Sequence, residues 1–313
     1  MQNEFTYLNE KSKLFEYFPF LKEYFQRKIL LKYKGSLEDL NSFSKETFYI
    51  YLGKGPSGTF HLGHYLHLKL ARKFQEEFNL RVLFMISDDE KKYQTKTIPF
   101  KKEALFLKKY FQKEKTKIFF NSEFFSKMYP YLISLFSKIT LIKLKKIFYF
   151  SDNEPIGKFL YPLVQIAPLL QEEKAKGLII CGQDQVQYFR LSKKKPFILI
   201  LEFLPGLKTE KMSSSKMEET ITLLFEKKDT LKKKIYKIKT GGGHSKEEHV
   251  LKGGNSQKNQ VFVYLNFFMQ KFEKIRDLKE KYSRGEVLDS ALKTILFNEL
   301  DYLYKTENFY APL

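Results

Sequence analysis

Apolar positions in this chain alternate between two rhythms. Thr47-Phe48-Tyr49-Ile50-Tyr51 is a β-branched and aromatic run that stops at Gly53, the pattern of a buried strand. Immediately afterwards Leu62, Leu66, Leu70, Phe74 and Phe78 recur at intervals of four, which is the apolar stripe of a helix. Further short runs read as strands: Val82-Leu83-Phe84-Met85-Ile86, Ile118-Phe119-Phe120, Leu178-Ile179-Ile180-Cys181 and Phe197-Ile198-Leu199-Ile200-Leu201. Helical patterns over 101–113, 126–146 and 157–174 separate them. This alternation predicts an α/β fold on a doubly wound parallel sheet. Phe15, Phe18, Leu21, Tyr24 and Phe25 predict a helical N-terminal segment over 1–45, packed as a cap. Beyond Thr222 the β signal fades. Patterns at 226–240, 258–283 and 287–306 predict a smaller α-helical domain over 226–313, which leaves 46–225 for the sheet.

In a doubly wound sheet the ligand sits beyond the carboxyl ends of the strands, and the polar clusters of this chain fall there. After the first strand come Gly53, Gly55, Ser57 and Gly58, then His61, Gly63 and His64. The glycines let main chain approach a phosphate at the start of a helix. His61 and His64, three apart on the opening turn, present both rings to one side, where they can bind an α-phosphate and the charge that grows on it. A zinc site fails for want of a third ligand nearby. Far downstream, Lys211-Met212-Ser213-Ser214-Ser215 puts a lysine and three hydroxyls on a loop, a clamp for the outer phosphates of a triphosphate, with Leu204-Pro205-Gly206 as a hinge. Asp88-Asp89-Glu90 after the second strand reads either as a solvated turn or as an acidic pocket for an ammonium group. Gln165, amid Val164, Ile166, Ala167 and Pro168, must find hydrogen-bond partners. Asp184 after Gly182 suits a ribose hydroxyl, Gln185 can reach a substrate, and Cys181 has a packing role.

Composition narrows the setting. The 313 residues can bury an α/β core and carry a second domain. Lysines interrupt every apolar stretch, so no membrane span is expected. Met1-Gln2-Asn3-Glu4-Phe5 has no targeting pattern, and the single cysteine excludes an internal disulfide framework, which fits a reducing, cytoplasmic compartment. A net charge of +20 points to a polyanionic partner. Of the 56 basic residues only six are arginine, and tryptophan is absent, so part of that charge reads as drift toward AT-rich codons. Lys232, Lys233, Lys234 and Lys237 are the basic residues expected to face RNA phosphates.

The two distant signatures together resemble the HIGH and KMSKS motifs of class I aminoacyl-tRNA synthetases. Further segments narrow the resemblance to the tryptophanyl-tRNA synthetases of eukaryotic and archaeal type: Tyr51-Leu52-Gly53-Lys54-Gly55-Pro56-Ser57, Asp88-Asp89-Glu90-Lys91, Gln165-Ile166-Ala167-Pro168, Asp184-Gln185 through Arg190, and Thr240-Gly241-Gly242-Gly243 with Glu247-Glu248-His249. The resemblance implies a Rossmann-like catalytic domain with an α-helical anticodon-binding domain, in a homodimer. It implies that His61, His64, Lys211, Ser213 and Ser214 carry the chemistry. Gly53, Gly55, Ser57, Gly63, Gly182, Asp184 and Met212 would bind ATP, with Mg²⁺ travelling on its phosphates rather than in a protein cage. Tyr51, Met85, Glu90, Gln165 and Gln185 would bind tryptophan, Tyr51 reading the indole N–H. The partners implied are tryptophan, ATP and tRNA(Trp).

The chain departs from that pattern at Met85, where the eukaryotic family commonly has glutamine, and at Leu52, where threonine is usual. Indole selection would then rest more heavily on Tyr51. Three rivals stay open: a tyrosyl-tRNA synthetase with a similar first signature, a non-catalytic RNA-binding paralogue, and a small-molecule nucleotidyltransferase.

Overall fold

In the computed structural model, which describes residues 5–55, 58–89, 101–172, 174–192, 195–214, 216–224, 226–243 and 245–311, seven strands join one sheet. They are β1 (Thr6–Tyr7), β2 (Leu30–Lys34), β3 (Phe48–Lys54), β4 (Arg81–Ile86), β5 (Thr116–Phe120), β6 (Lys176–Gly182) and β7 (Phe197–Leu201), in the order β1-β2-β7-β6-β3-β4-β5. Every pair from β7 to β5 is parallel, with Tyr51 facing Leu83 on one side and Ile179 on the other. The five runs read as strands are these five parallel strands. β3, β4, β6 and β7 are buried on both faces and need continuous apolar sequence rather than alternation, while β5 at the edge is only partly buried.

Residues 1–45, expected to be helical, hold two short helices, α1 (Leu14–Tyr17) and α2 (Leu21–Gln26), but also β1 and β2. The helical spacing ends where α2 ends. Lys28 takes a left-handed conformation at φ 60°, and Ile29 N–H donates to Tyr24 O at 2.9 Å, closing the last turn. The chain then runs antiparallel along β7, with Leu30 opposite Leu201. Lysines punctuate Leu30–Lys34 and a bulge lies between Leu30 and Lys32, so neither period shows in the sequence.

The connecting helices are α3 (Leu62–Phe78), α4 (Lys101–Tyr110), α5 (Asn121–Phe136), α6 (Leu141–Phe148), α7 (Ile156–Gln171) and α8 (Val186–Phe189). The expected helix over 126–146 is broken into α5 and α6 because Thr140 leaves the helix and caps α6, accepting from Lys143 N–H at 3.3 Å. One face of the sheet packs Tyr49, Tyr51, Leu83, Met85 and Ile179 against Met128, Leu132, Leu163 and Ile166 of α5 and α7. An aromatic cluster joins α1 to α3: Phe18 meets Phe74 edge to face at 5.0 Å, and Phe43 lies 4.5 Å from Phe48 between ring centroids.

The chain divides into two compact units. The first comprises residues 1–22, 30–57 and 67–201, and so holds the whole sheet; the second comprises 23–29, 58–66 and 202–313. The second unit contains α9 (Lys228–Tyr236), α10 (Lys246–Lys252), α11 (Gln260–Phe268), α12 (Lys274–Ser283) and α13 (Asp289–Thr306), with Leu231, Val261, Leu265, Leu292, Leu296 and Tyr304 in its core. Arg27 closes the end of α11, donating to Asn266 O at 3.2 Å and Met269 O at 2.9 Å. Glu226, 5 % exposed, accepts from Thr222 N–H at 3.1 Å, from the Thr222 hydroxyl at 2.8 Å and from Lys234 Nζ at 2.8 Å. Lys234 also donates to Thr220 O at 2.7 Å, so of the lysines expected to face RNA this one is committed inside the unit. Among the described residues no helix is long and apolar enough to cross a membrane.

Candidate active site

The two distant signatures meet in the second unit. Phe60–Leu62 and Ile221–Leu223 run antiparallel: Leu62 N–H donates to Ile221 O at 3.1 Å, Leu223 N–H donates to Phe60 O at 2.8 Å, and His61 bridges Thr222. Gly58 lies against the serine loop at φ +125°, and a Cβ there would stand 2.8 Å from Ser214 O. Only glycine takes that conformation and that contact without strain. The Ser214 hydroxyl donates to Thr59 O at 3.3 Å, and Thr220 donates to Ser213 O at 2.7 Å. Residues 155 positions apart are thus held in one turn of structure.

His61 and His64 face each other with ring centroids 3.7 Å apart. The His61 backbone N–H donates to His64 Nδ1 at 3.2 Å. Nδ1 therefore carries the lone pair, and the proton of neutral His64 sits on Nε2, where it can be donated. Gly63 makes the fold-back possible, since a Cβ there would come within 3.0 Å of the His61 ring. The Lys211 ammonium lies 4.2 Å above the Phe203 ring. Phe203 escaped the sequence reading because an exposed phenylalanine carries no motif.

Met212, 2 % exposed, is packed inside the unit and donates its N–H to Leu204 O at 2.8 Å, so it anchors the loop. The expected hinge is pinned. Tyr264 donates to Pro205 O at 2.6 Å and Gln260 to Gly206 O at 2.7 Å, both from α11. Leu204-Pro205-Gly206 is consequently a fixed base for the loop.

The first unit gathers the second group at the carboxyl ends of β3, β4 and β6. Tyr51, 2 % exposed, donates its hydroxyl to Gln165 O on α7 at 2.7 Å, with Met85 Sδ 3.1 Å away. Burial, and next the neighbouring Tyr49, holds the Tyr51 phenol well above its ordinary pKa, so it stays neutral. With its one proton engaged, this hydroxyl offers a ligand only lone pairs. Gln165 Nε2 donates to Gln185 Oε1 at 3.1 Å, and Gln185 Nε2 to Asp184 Oδ2 at 3.3 Å. Gln165 Oε1 is buried with no hydrogen-bond partner among the described residues. That is an acceptor aimed at a donor from elsewhere. Gly53 allows Met85 to close in, a Cβ there standing 3.3 Å from its terminal methyl.

Gly182 is the buried last residue of β6, and Asp184 is exposed on the turn Gln183–Gln185 that follows. Gly55 is half-buried and accepts from the buried Lys54 Nζ at 3.2 Å, a contact the sequence reading missed in a lysine-rich chain. Of the acidic run, Asp88 accepts from Ser122 N–H at 3.0 Å and from its hydroxyl, and Asp89 accepts from Asn121 at 3.0 Å. Asp88 and Asp89 form a half-buried turn whose carboxylates hold the start of α5. Glu90, Ser57 and Ser215 lie outside the described residues. Burial, then the Asp184 charge, pushes the Cys181 thiol up, consistent with packing.

A parallel sheet and a glycine-histidine turn paired with a lysine-serine loop are features of the class I synthetases. The model of the class I tRNA synthetases for tryptophan and tyrosine (W and Y) matches residues 44–305, and the chain belongs to that family. It is 32 % identical over 283 residues to the tryptophan–tRNA ligase of Saccharolobus solfataricus, covering 84 % of this chain and 74 % of the relative. With the cytoplasmic tryptophan–tRNA ligase of Dictyostelium discoideum it shares 28 % over 288 residues, 82 % of this chain and 72 % of the relative. The crystal structure of Plasmodium falciparum tryptophanyl-tRNA synthetase superposes with a TM-score of 0.83 at 28 % identity, over 97 % of this chain and 90 % of that one. These relations place the chain on the tryptophan side of a family that holds both branches.

Gly58→Ala is expected to lower the unfolding free energy by about 1–3 kcal/mol, the scale of a strained backbone position, as read by chemical denaturation. Gly53→Ala meets only the tip of a flexible methionine and is expected to cost clearly less. Equal losses would contradict the close approach at Ser214.

Proposed function

We propose that this chain activates tryptophan with ATP, forming tryptophanyl-adenylate and pyrophosphate, and then transfers tryptophan to tRNA(Trp). The observation that carries this reading is the meeting of His61, His64, Ser213 and Ser214 on paired backbone. In the first step a carboxylate oxygen of tryptophan attacks the α-phosphorus and the bond to the β-phosphate oxygen breaks. His64 donates from Nε2 to the α-phosphate as its charge grows, and His61 flanks it. Lys211 with the hydroxyls of Ser213 and Ser214 receives the leaving pyrophosphate, whose Mg²⁺ arrives with ATP as part of the substrate. Gly53, Gly55, Ser57 and Gly63 give the triphosphate room, and Gly182 and Asp184 take the adenosine. In the second step a terminal ribose hydroxyl of tRNA attacks the carbonyl and AMP leaves.

For tryptophan, the Tyr51 hydroxyl accepts the indole N–H while it goes on donating its own hydrogen bond to Gln165 O. Gln165 Oε1, Gln185 and Glu90 receive the ammonium group. Met85 forms the apolar side of the indole pocket. The chain works in the cytoplasm, and residues 226–313 with their exposed lysines contact the tRNA.

The proposed active form is a homodimer. Its support is a helix face: α5 exposes Phe125 (43 %), Tyr129 (54 %) and Ile133 (46 %) at four-residue spacing, an apolar stripe that a second copy can cover. Sedimentation is expected to give a dimer, and Tyr129→Lys with Ile133→Lys a monomer. A wild-type monomer at assay concentrations would remove the proposal.

Tryptophan alone among the amino acids is expected to drive ATP–pyrophosphate exchange, with discrimination against tyrosine of about 10⁴, the scale for leaving a site's hydrogen-bonding group unpaired. His61→Ala and Lys211→Ala should each slow activation by roughly 10² to 10³ with little change in tryptophan binding. That binding is readable as new emission, since the chain has no tryptophan of its own. Met85→Gln should alter tryptophan affinity more than ATP affinity. Faster exchange with tyrosine would contradict the specificity, and variants that lose tryptophan affinity at an unchanged rate would contradict the phosphate roles.

A further inference from the structure

The first unit contains a cavity of about 360 Å³ at the amino ends of its strands, the edge opposite to Tyr51's carboxyl-end cluster. Its wall begins where strands begin. Phe48 and Tyr49 open β3, Lys176 and Gly177 open β6 in register with them, and Lys195 and Pro196 precede β7. Leu169 of α7 and Ala175 complete the apolar side. The volume lies within the range of about 300–1,000 Å³ typical of small-molecule sites.

The polar groups on this wall are almost all donors. Lys176 is neutralised by Asp39 at 2.5 Å, and the Ser42 and Thr47 hydroxyls donate to backbone carbonyls. Lys174 and Lys195 also line the cavity, and neither has an ion pair among the described residues. Tyr49 is 1 % exposed, yet its hydroxyl makes no hydrogen bond to a described residue; it lies beside Gly177, 3.5 Å from where a Cβ would stand. The hydroxyl belongs to the lining of the cavity. Burial, and then the Glu172 charge, raises its pKa, so it presents a proton.

We propose that this cavity binds a small organic anion, its flat apolar body against Phe48, Leu169, Ala175 and Pro196 and its charged group between Lys174, Lys195 and the Tyr49 hydroxyl. Two ammonium groups and a phenol proton select negative charge, the nearby Glu172 carboxylate being paired with Arg81 and Asp39 with Lys176, while the apolar wall selects against a bare inorganic ion. The site opens at the amino ends of the strands, and Tyr49 is the one residue of it that neighbours Tyr51.

Naphthalene-2-sulfonate serves as the probe, titrated into the full chain by isothermal calorimetry. One site per chain is expected, undisturbed by saturating tryptophan and ATP. Lys174→Glu combined with Lys195→Glu should weaken binding roughly tenfold or more, and Tyr49→Phe should weaken it severalfold. The lysines are exposed and the Tyr49 hydroxyl has no described partner, so thermal unfolding should be nearly unchanged in both variants. Displacement by tryptophan or ATP, affinity unaltered by both variants, or equally tight binding of inorganic phosphate would each overturn the proposal.

Discussion

The functional geometry depends on one short backbone pairing. Phe60–Leu62 and Ile221–Leu223 exchange hydrogen bonds although far apart in the chain, and through them the histidine turn and the serine loop become neighbours. Neither element could hold its place alone. The loop has few buried side chains besides Met212 and Ser214. What fixes them is the pairing, the Gly58–Ser214 contact and the Glu226 carboxylate that collects Thr222 and Lys234 immediately behind. A buried carboxylate with several donors is costly to disturb, because losing one partner strands the charge. The same interaction that stabilises the unit therefore keeps the histidine turn and the serine loop in register.

The first unit solves a different problem, which is to leave selected polar atoms available while satisfying the rest. Asp88 and Asp89 are consumed in holding the start of α5, Tyr51 gives its proton to Gln165 O, and the Gln165 amide gives a proton to Gln185. What remains is directional: lone pairs on Tyr51, and an acceptor on Gln165. A ligand that presents an N–H in one place and an ammonium group in another meets both. Discrimination of this kind comes from what the site has already committed as much as from what it offers.

Most of this was legible in the sequence wherever a single period or a dense motif carried it. The five parallel strands are uninterrupted apolar runs, and the histidine and lysine-serine signatures pair types of residue that few other chemistries need together. Legibility failed where geometry depends on partners distant in the chain. β2 is a lysine-spaced segment whose strand character comes from β7. The Asp88 and Asp89 roles are set by Asn121 and Ser122, and the rigidity of Pro205-Gly206 by Gln260 and Tyr264. Proline and glycine beside a loop suggest a hinge, but hydrogen bonds from a helix override local freedom. Lys234 looks like its neighbours in a basic helix, and its bonds to Glu226 and Thr220 O distinguish it.

If the pairing is the constraint on which the site rests, the amides of Leu62 and Leu223 share one opening event. Native-state hydrogen exchange at increasing denaturant measures this directly, since each amide reports the free energy of the motion that exposes it. The account predicts that both are protected and converge on the same opening free energy. Loop-like exchange at Leu223 beside a protected Leu62 would show that the serine loop is held by something else, and would contradict it.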